Sequence, residues 1–407
     1  MGPKPRSNKT VLGLIFSIML MDVLGNTLLY PVSAYIVRQY SQQALMVTLL
    51  SVIYSAGQFF AAPLLGKLSD RAGRRPVLLL SLCGSVIGYL VFGLAGALWI
   101  LFISRLVDGI TGGNMSTASA YIADISKPEE LSRNFSLIGL AWGLGLIIGP
   151  ALGGFFGQIS LREPAFLAAL LSLTNMLLGI FWLPESLPVE RRETTPIRPD
   201  DFNPFKSIGT TARIPGLGVL LLILCLFIFA TQGMSSTETL FLIHRFSVQP
   251  WQIGALLVLA GAVTALVQAT VQWLVKAMGE KAVALASLPL LALGALATSV
   301  SPVFWLVFPF VFLRSAASGF IYPTLSAIST RKVAPQEIGV LMGVTTALTS
   351  LMTIASPITA GVLYDHWTAG APYWLTTALL VVAALILSSV PNSRDLKPEV
   401  RSCERTS

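Results

Sequence analysis

The chain has 407 residues, of which 54% are hydrophobic and 11% are charged. An ordinary soluble domain carries about 25% charged residues, so this composition excludes that class and indicates a protein that crosses a membrane many times. The formal net charge of +8 would also suit a nucleic-acid partner, unless the basic residues follow a membrane topology.

Twelve apolar runs are long enough to cross a bilayer, which takes about 20 residues of helix. In chain order, the predicted spans cover residues 11–37, 44–65, 76–95, 98–124, 135–157, 165–184, 214–243, 252–276, 282–300, 303–330, 338–363 and 372–391. This number of spans predicts an all-α integral membrane protein with twelve transmembrane helices.

The basic residues are distributed unevenly about these spans. With the amino end in the cytoplasm, only Arg38, Arg162 and Arg245 fall in external segments, Arg105 and Arg314 lie within spans, and the other Lys and Arg residues are cytoplasmic. This is the positive-inside bias of a multi-pass protein. It predicts cytoplasmic termini, and it argues against nucleic acid as a partner.

The chain divides into two similar halves. A polar stretch separates six spans from six, which predicts an N-terminal bundle at 1–184, a cytoplasmic linker at 185–213, a C-terminal bundle at 214–392 and a cytoplasmic tail at 393–407. Several prolines and glycines recur 206 or 207 positions apart: Pro128 and Pro335, Pro150 and Pro357, Gly154 and Gly361, and Gly73 and Gly279. Parallel repeats of six helices favour a transporter with two rocking halves over a receptor or a channel.

An acid lies near the middle of the first span. Asp22 is about twelve residues into the helix, roughly 18 Å from its start and near the midplane of a bilayer core about 30 Å thick. Burial disfavours a charged carboxylate, so Asp22 can load and release a proton as a cavity alternates between wet and dry. A structural acid that pairs with a neighbouring helix is the alternative. Asn26, one turn further on, is predicted to face the same cavity.

The fourth span carries a second charged pair. Arg105 and Asp108 are three residues apart and therefore share one face of the helix. An arginine at this depth needs a partner, which Asp108 can supply within the helix, with Asp22 or a backbone carbonyl as competitors. A structural ion pair and a role in proton coupling both fit the spacing. The presence of Asp22 and Arg105 in the same half favours coupling.

Polar side chains also interrupt the spans of the second half. Gln232 belongs to a polar run that ends at Glu238 on span seven, Gln268 to a four-residue repeat on span eight, and Arg314 to span ten. Such faces line a cavity or hold helices together, and both roles remain open for Gln268. For Glu238 and Arg314 we expect a cavity or gate role, because an unpaired charge facing lipid is expensive.

The fifth span has a face of small residues around a proline: Gly145, Gly149, Pro150, Gly153, Gly154 and Gly157. Small residues at four-residue spacing let another helix approach closely, and the proline removes one backbone hydrogen bond. We expect this face to form a seam or hinge between the two halves.

The turn between spans two and three is rich in charge and glycine, with the sequence Gly-Lys-Leu-Ser-Asp-Arg-Ala-Gly-Arg-Arg at 66–75. The positive-inside bias accounts for the basic residues but not for the fixed spacing of Gly66, Asp70 and Gly73. The glycines permit a tight turn, and the acid can dock on a neighbouring helix N-terminus. The predicted gate comprises Gly66, Asp70, Arg71, Gly73, Arg74 and Arg75.

These motifs together resemble the major facilitator superfamily, in particular its twelve-helix drug/proton antiporters and tetracycline efflux pumps. The 66–75 turn is similar to the superfamily's signature loop, Arg105-x-x-x-Gly109 to its fourth-helix motif, and 145–154 to the antiporter motif of helix five. The resemblance implies two six-helix bundles, proton-coupled efflux, and proton transfer at the fourth-helix motif. It departs from tetracycline pumps in helix three, where Gly88-Tyr89 replaces an acid, and in helix nine around Ser287.

From these observations we expect a monomeric secondary transporter that exports small amphipathic compounds or drugs in exchange for protons. Asp22, Arg105 and Asp108 are the predicted proton-coupling residues, and no cofactor or metal is expected. The sequence contains no Walker motif, so ATP hydrolysis is not the predicted energy source. Two alternatives stay open: a proton-coupled importer of a sugar or organic anion, with Arg105 and Arg314 binding the anion, and a non-transporting membrane receptor.

Overall fold

The computed structural model describes residues 8–112, 114–127, 129–192, 214, 216–333 and 338–390. Pro128 and Pro335, most of the predicted linker and the predicted tail lie outside these residues. The described part of the chain contains fourteen α-helices and two short 3₁₀ turns, at Val189–Arg191 and Phe304–Leu306, and no strand.

The helices follow the predicted order. The first half contains α1 (Asn8–Leu28), α2 (Ser33–Arg38), α3 (Ala44–Ala72), α4 (Arg74–Leu94), α5 (Leu98–Thr111), α6 (Asn114–Ile125), α7 (Leu131–Ile159) and α8 (Glu163–Trp182). The second half contains α9 (Leu217–Phe246), α10 (Pro250–Met278), α11 (Glu280–Val300), α12 (Val307–Thr330), α13 (Ile338–His366) and α14 (Ala371–Ser389).

Two predicted spans are each built from two helices. The first span is interrupted between α1 and α2 around Pro31, whose ring removes a backbone donor. The fourth span is interrupted at Gly112, because glycine is a poor helix former. Among the described residues, eleven helical segments are long and apolar enough to span a membrane. The one predicted span missing from these eleven is the fourth, which is α5 followed by α6, and neither helix is long enough alone.

Helix packing forms two bundles. In the first half, α1 packs against α7 and α8, α3 against α5, and α4 against α5 and α8. In the second half, α9 packs against α13 and α14, α11 against α12 and α14, and α10 against α12. The most extensive contacts between the halves are those of α7 with α10 and of α3 with α13, and α3 also touches α9.

The two ends of this interface differ. We call the side where α1 begins and α14 ends the terminal side, and the other the opposite side. Of the fourteen residues 251–264 in α10 only Trp251 is exposed, whereas ten of the fourteen residues 265–278, nearer the terminal side, are exposed. On α7, Gly139 and Gly143 have open space around them, whereas Gly154 touches Pro250, Trp251 and Gly254 of α10. The halves therefore meet at the opposite side and stand apart at the terminal side.

The glycines of α7 provide a test of this packing. A Cβ at Gly149 would overlap the Thr27 side chain, whereas one at Gly143 would meet no atom within 4 Å. Overpacking of this kind costs about 1–3 kcal/mol. We therefore expect Gly149→Ala to lower the unfolding temperature in detergent. The matched control Gly143→Ala should leave it unchanged or raise it slightly, and equal effects of the two variants would contradict the packing.

Candidate functional site

A cavity of about 670 Å³ lies between the two halves. Nine of the twelve predicted spans contribute residues to its wall, among them α3 and α13. Its polar lining includes side chains from both halves: Asp22, Asn26, Tyr54, Gln58, Arg105, Thr231, Gln232, Ser235, Ser236, Glu238, Thr239, Thr264, Arg314 and Ser318. Apolar and aromatic side chains such as Tyr30, Trp142 and Leu257 complete it.

The predicted acid of the first span lies in this wall. The Asn114 side-chain amide donates to Asp22 Oδ1 at 2.6 Å. Asn114 is the first residue of α6 and is buried, so the break in the fourth span places a polar group opposite the acid. Within the described part of the chain, Asp22 makes no ion pair. One turn further on α1, Asn26 donates to the Tyr54 hydroxyl at 3.0 Å.

Arg105 and Asp108 form the ion pair that their spacing predicts, with 3.2 Å between Arg105 Nη1 and Asp108 Oδ2. Both side chains are buried, and the guanidinium also lies against the Tyr89 and Phe92 rings, 5.3 and 4.8 Å from their centroids. Arg105 reaches the cavity, whereas Asp108 lies behind it and is not part of the lining. The arginine is therefore held between an acid, two rings and the cavity.

The second half contains a corresponding buried pair. Arg314 on α12 donates through Nη2 to Glu238 on α9, and its Nη1 lies 3.6 Å from the Met234 sulfur. Arg314 is 206 positions after Asp108, so the repeat places a base where the first half has an acid. The two positions also pack alike, because a Cβ on Gly88 would lie 3.0 Å from Asp108 Cβ and one on Gly294 would lie 3.0 Å from Arg314 Cβ.

The two glutamines predicted for the cavity differ in position. Gln232 lies in the wall. Gln268 is exposed on the half of α10 that stands away from the first bundle, one turn beyond Thr264, and it is outside the lining of the described cavity.

The small-residue face of α7 packs against two different helices. Gly145, Gly149 and Gly153 face Val23, Thr27 and Leu28 of α1, in the same half. The Thr27 hydroxyl also donates to the Gly145 carbonyl at 3.0 Å, across this contact. Gly154 instead touches α10, and the Pro150 carbonyl lies 2.6 Å from where a Cβ of Gly254 would be. This face thus fixes α1 to α7 and also forms part of the seam between the halves.

The charged turn at 66–75 lies on the terminal side. Arg74 Nη1 is 2.5 Å from Asp70 Oδ1, and Arg74 Nε is 3.1 Å from Asp124 Oδ2 at the end of α6. Gly73 has a φ of +105°, a conformation that favours glycine, and a Cβ there would also overlap the Glu185 carboxylate. Arg71 is exposed, and Gly66 has open space around it.

Glu185, after α8, caps α4. Its carboxylate accepts from the Arg74 and Arg75 backbone N–H groups at 2.8 and 3.2 Å, and Arg75 Nη2 donates to the Ile180 carbonyl. The acid that docks on the N-terminus of α4 is therefore Glu185, while Asp70 pairs with Arg74. The turn at 66–75 thus meets the end of the sixth span at this point.

The structure adds three polar residues to the predicted site. Asn114, Tyr54 and Gln58 surround the break in the fourth span, where Gln58 donates to the Gly112 carbonyl at 2.9 Å. The local signal for Asn114 is its place after two glycines. No group of three or more His, Cys, Asp or Glu side chains among the described residues is arranged to hold a metal ion.

Two six-helix bundles around a polar cavity that opens to one side define a multi-pass membrane transporter. The chain belongs to the major facilitator superfamily, whose family model matches residues 15–268 and 220–402.

Similar proteins support this assignment. The chain is 35% identical to the class C tetracycline resistance protein of Escherichia coli, over 96% of this chain and 97% of that protein. It is 30% identical to the class B protein, over 93% and 96%. The crystal structure of the human organic anion transporter MFSD10 is similar with a TM-score of 0.68 and 26% identity, over 94% of this chain and 100% of that one. These relatives are transporters rather than enzymes.

The buried pair in the first half gives a prediction for stability. Asp108→Asn leaves Arg105 buried without its counter-charge, and breaking a buried pair costs about 3–5 kcal/mol. We expect a large loss of thermal stability in detergent. The double variant Arg105→Met/Asp108→Leu removes both charges and should recover most of that stability. Equal stability of Asp108→Asn and the wild-type protein would contradict the pairing.

Proposed function

We propose that the protein exports small amphipathic compounds or drugs across a bacterial inner membrane in exchange for protons. The observation that carries the proposal is Asp22 in the wall of the cavity, held by an amide rather than by a cation. A carboxylate with a neutral partner can gain or lose a proton without breaking an ion pair. The relatives named as tetracycline resistance proteins support export of drugs.

The proposed topology places the terminal side in the cytoplasm. The turn that carries Arg71, Arg74 and Arg75 lies there, in keeping with the positive-inside bias. The cavity then opens to the cytoplasm, which is the side from which an exporter takes its cargo. Rocking of the halves about the seam would close that side and open the other.

The cavity supports an amphipathic cargo. Tyr30, Trp142 and Leu257 offer apolar and aromatic contact, and Asn26, Gln232 and Ser235 offer hydrogen bonds. Its volume of about 670 Å³ is within the range of small-molecule sites, about 300–1,000 Å³. Arg105 and Asp108 lie beside the proton site that we propose, where the ion pair holds the arginine while Asp22 changes its charge.

A second candidate is the transport of organic anions. Arg105 and Arg314 both line the cavity, and in the described structure Arg105 Nε and Nη2 and Arg314 Nε have no hydrogen-bond partner. The human organic anion transporter MFSD10 is similar over nearly the whole chain. Anions would then be held between the two arginines.

Growth inhibition and vesicle transport test the proposal together. Cells that express the protein should tolerate higher concentrations of several cationic or neutral amphipathic drugs, with tetracycline among those tested. In inverted vesicles, uptake of a protecting drug should depend on the pH gradient. Protection only against organic anions would favour the second candidate.

Asp22→Asn should abolish this activity, because the amide cannot exchange a proton. We expect drug tolerance to fall to that of cells without the protein, at unchanged protein levels in the membrane. The control Glu163→Gln makes the same chemical change at an exposed acid on the opposite side and should keep wild-type tolerance. Wild-type, gradient-dependent uptake by Asp22→Asn would contradict the proposed proton site.

A further inference from the structure

The N-terminus of α3 is capped by a residue from the other half. Gln43, which precedes the helix, makes no side-chain cap. The Asp365 carboxylate, near the end of α13, accepts instead from both first amides: Ala44 N–H to Oδ1 at 2.7 Å and Leu45 N–H to Oδ2 at 3.0 Å. A carboxylate at a helix N-terminus satisfies unpaired donors and interacts favourably with the helix dipole.

A close helix approach positions this carboxylate. Gly361, one turn before Asp365 on α13, lies against Leu45 and Thr48, and a Cβ there would be 2.9 Å from Leu45 Cα. Because Gly361 has no side chain, the backbone of α13 can lie directly against the backbone at the start of α3. The acid one turn further on then reaches both amides at once.

This contact exists at one end of the helix pair only. At the terminal side of the same two helices, Gly66 on α3 and Gly343 on α13 have open space around them. Asp70, near the terminal end of α3, pairs with Arg74 in its own half. The pair formed by α3 and α13 is thus closed at the opposite side by Asp365 and open at the terminal side.

We propose that Asp365 is a latch that holds the opposite side of the transporter closed, and that its release is a step in opening that side. The two amides belong to the first half and the carboxylate to the second, so any separation of the halves there must break both hydrogen bonds. The latch requires only that the halves rock; it does not depend on the identity of the cargo or on proton coupling. Asp365 acts as a positioning residue, because it sets the balance between two states of the cavity.

Access to the cavity from each side measures this balance. Ser235 lines the cavity on α9 and is exposed, and the chain's own cysteines are Cys83, Cys225 and Cys403. Ser235→Cys in a background without those three gives a single probe. A membrane-impermeant thiol reagent is applied to right-side-out and to inverted vesicles, so that each side is tested separately.

Asp365→Asn should raise the labelling rate from the opposite side and lower it from the terminal side. We expect the ratio of the two rates to change about 5-fold, which corresponds to about 1 kcal/mol, because the amide keeps one acceptor for the two backbone donors and loses the charge that interacts with the helix dipole. The control Glu163→Gln also removes one charge on the opposite side, but at an exposed residue of α8 that does not join the halves. Its ratio of labelling rates should therefore equal that of the wild type.

An Asp365→Asn ratio equal to that of Glu163→Gln would overturn the latch, whatever its effect on stability. A purely structural role would lower the unfolding temperature and leave the ratio unchanged. If Asp365→Asn fails to accumulate in membranes, Asp365→Ser, which keeps one acceptor, replaces it with the same probe. An unchanged ratio in that variant would overturn the latch equally.

Discussion

The cost of an unpaired charge inside a membrane governs the arrangement of this protein. Arg105 is matched by Asp108 in the first half, and Arg314 by Glu238 in the second. These pairs account for both arginines that lie within spans and leave Asp22 with an amide as its partner. The two ion pairs connect helices or turns at the wall of the cavity. Asp22 is the acid whose charge can change without breaking an ion pair.

Close backbone contacts let the halves meet without large side chains between them. At the opposite side, Gly154 and Gly361 bring α7 against α10 and α13 against α3, and Asp365 fastens the second contact. At the terminal side, the same helices diverge around the cavity. The seam is therefore short, and we propose that its position near one end of each helix lets the halves rotate rather than slide.

Sequence patterns predicted much of this architecture. The twelve apolar runs and the repeat of about 206 residues indicated two six-helix bundles, and the three-residue spacing of Arg105 and Asp108 indicated their ion pair. Contacts between distant residues could not be read in the same way. The four-residue glycine spacing on α7 predicts a close helix neighbour but not which helix it is, and Gly145, Gly149 and Gly153 face α1 rather than the other half. Asn114 and Glu185 act through partners 92 and 111 positions away, which no local pattern specifies.

Proton release on binding tests most directly whether Asp22 couples cargo to protons. Purified protein in weakly buffered detergent is mixed with a compound against which it protects cells, and the pH change and the amount bound are measured together. We predict that the wild-type protein releases a proton as the compound binds, and that Asp22→Asn binds the compound without this release. Equal proton release by Asp22→Asn and the wild-type protein would contradict the central role of Asp22.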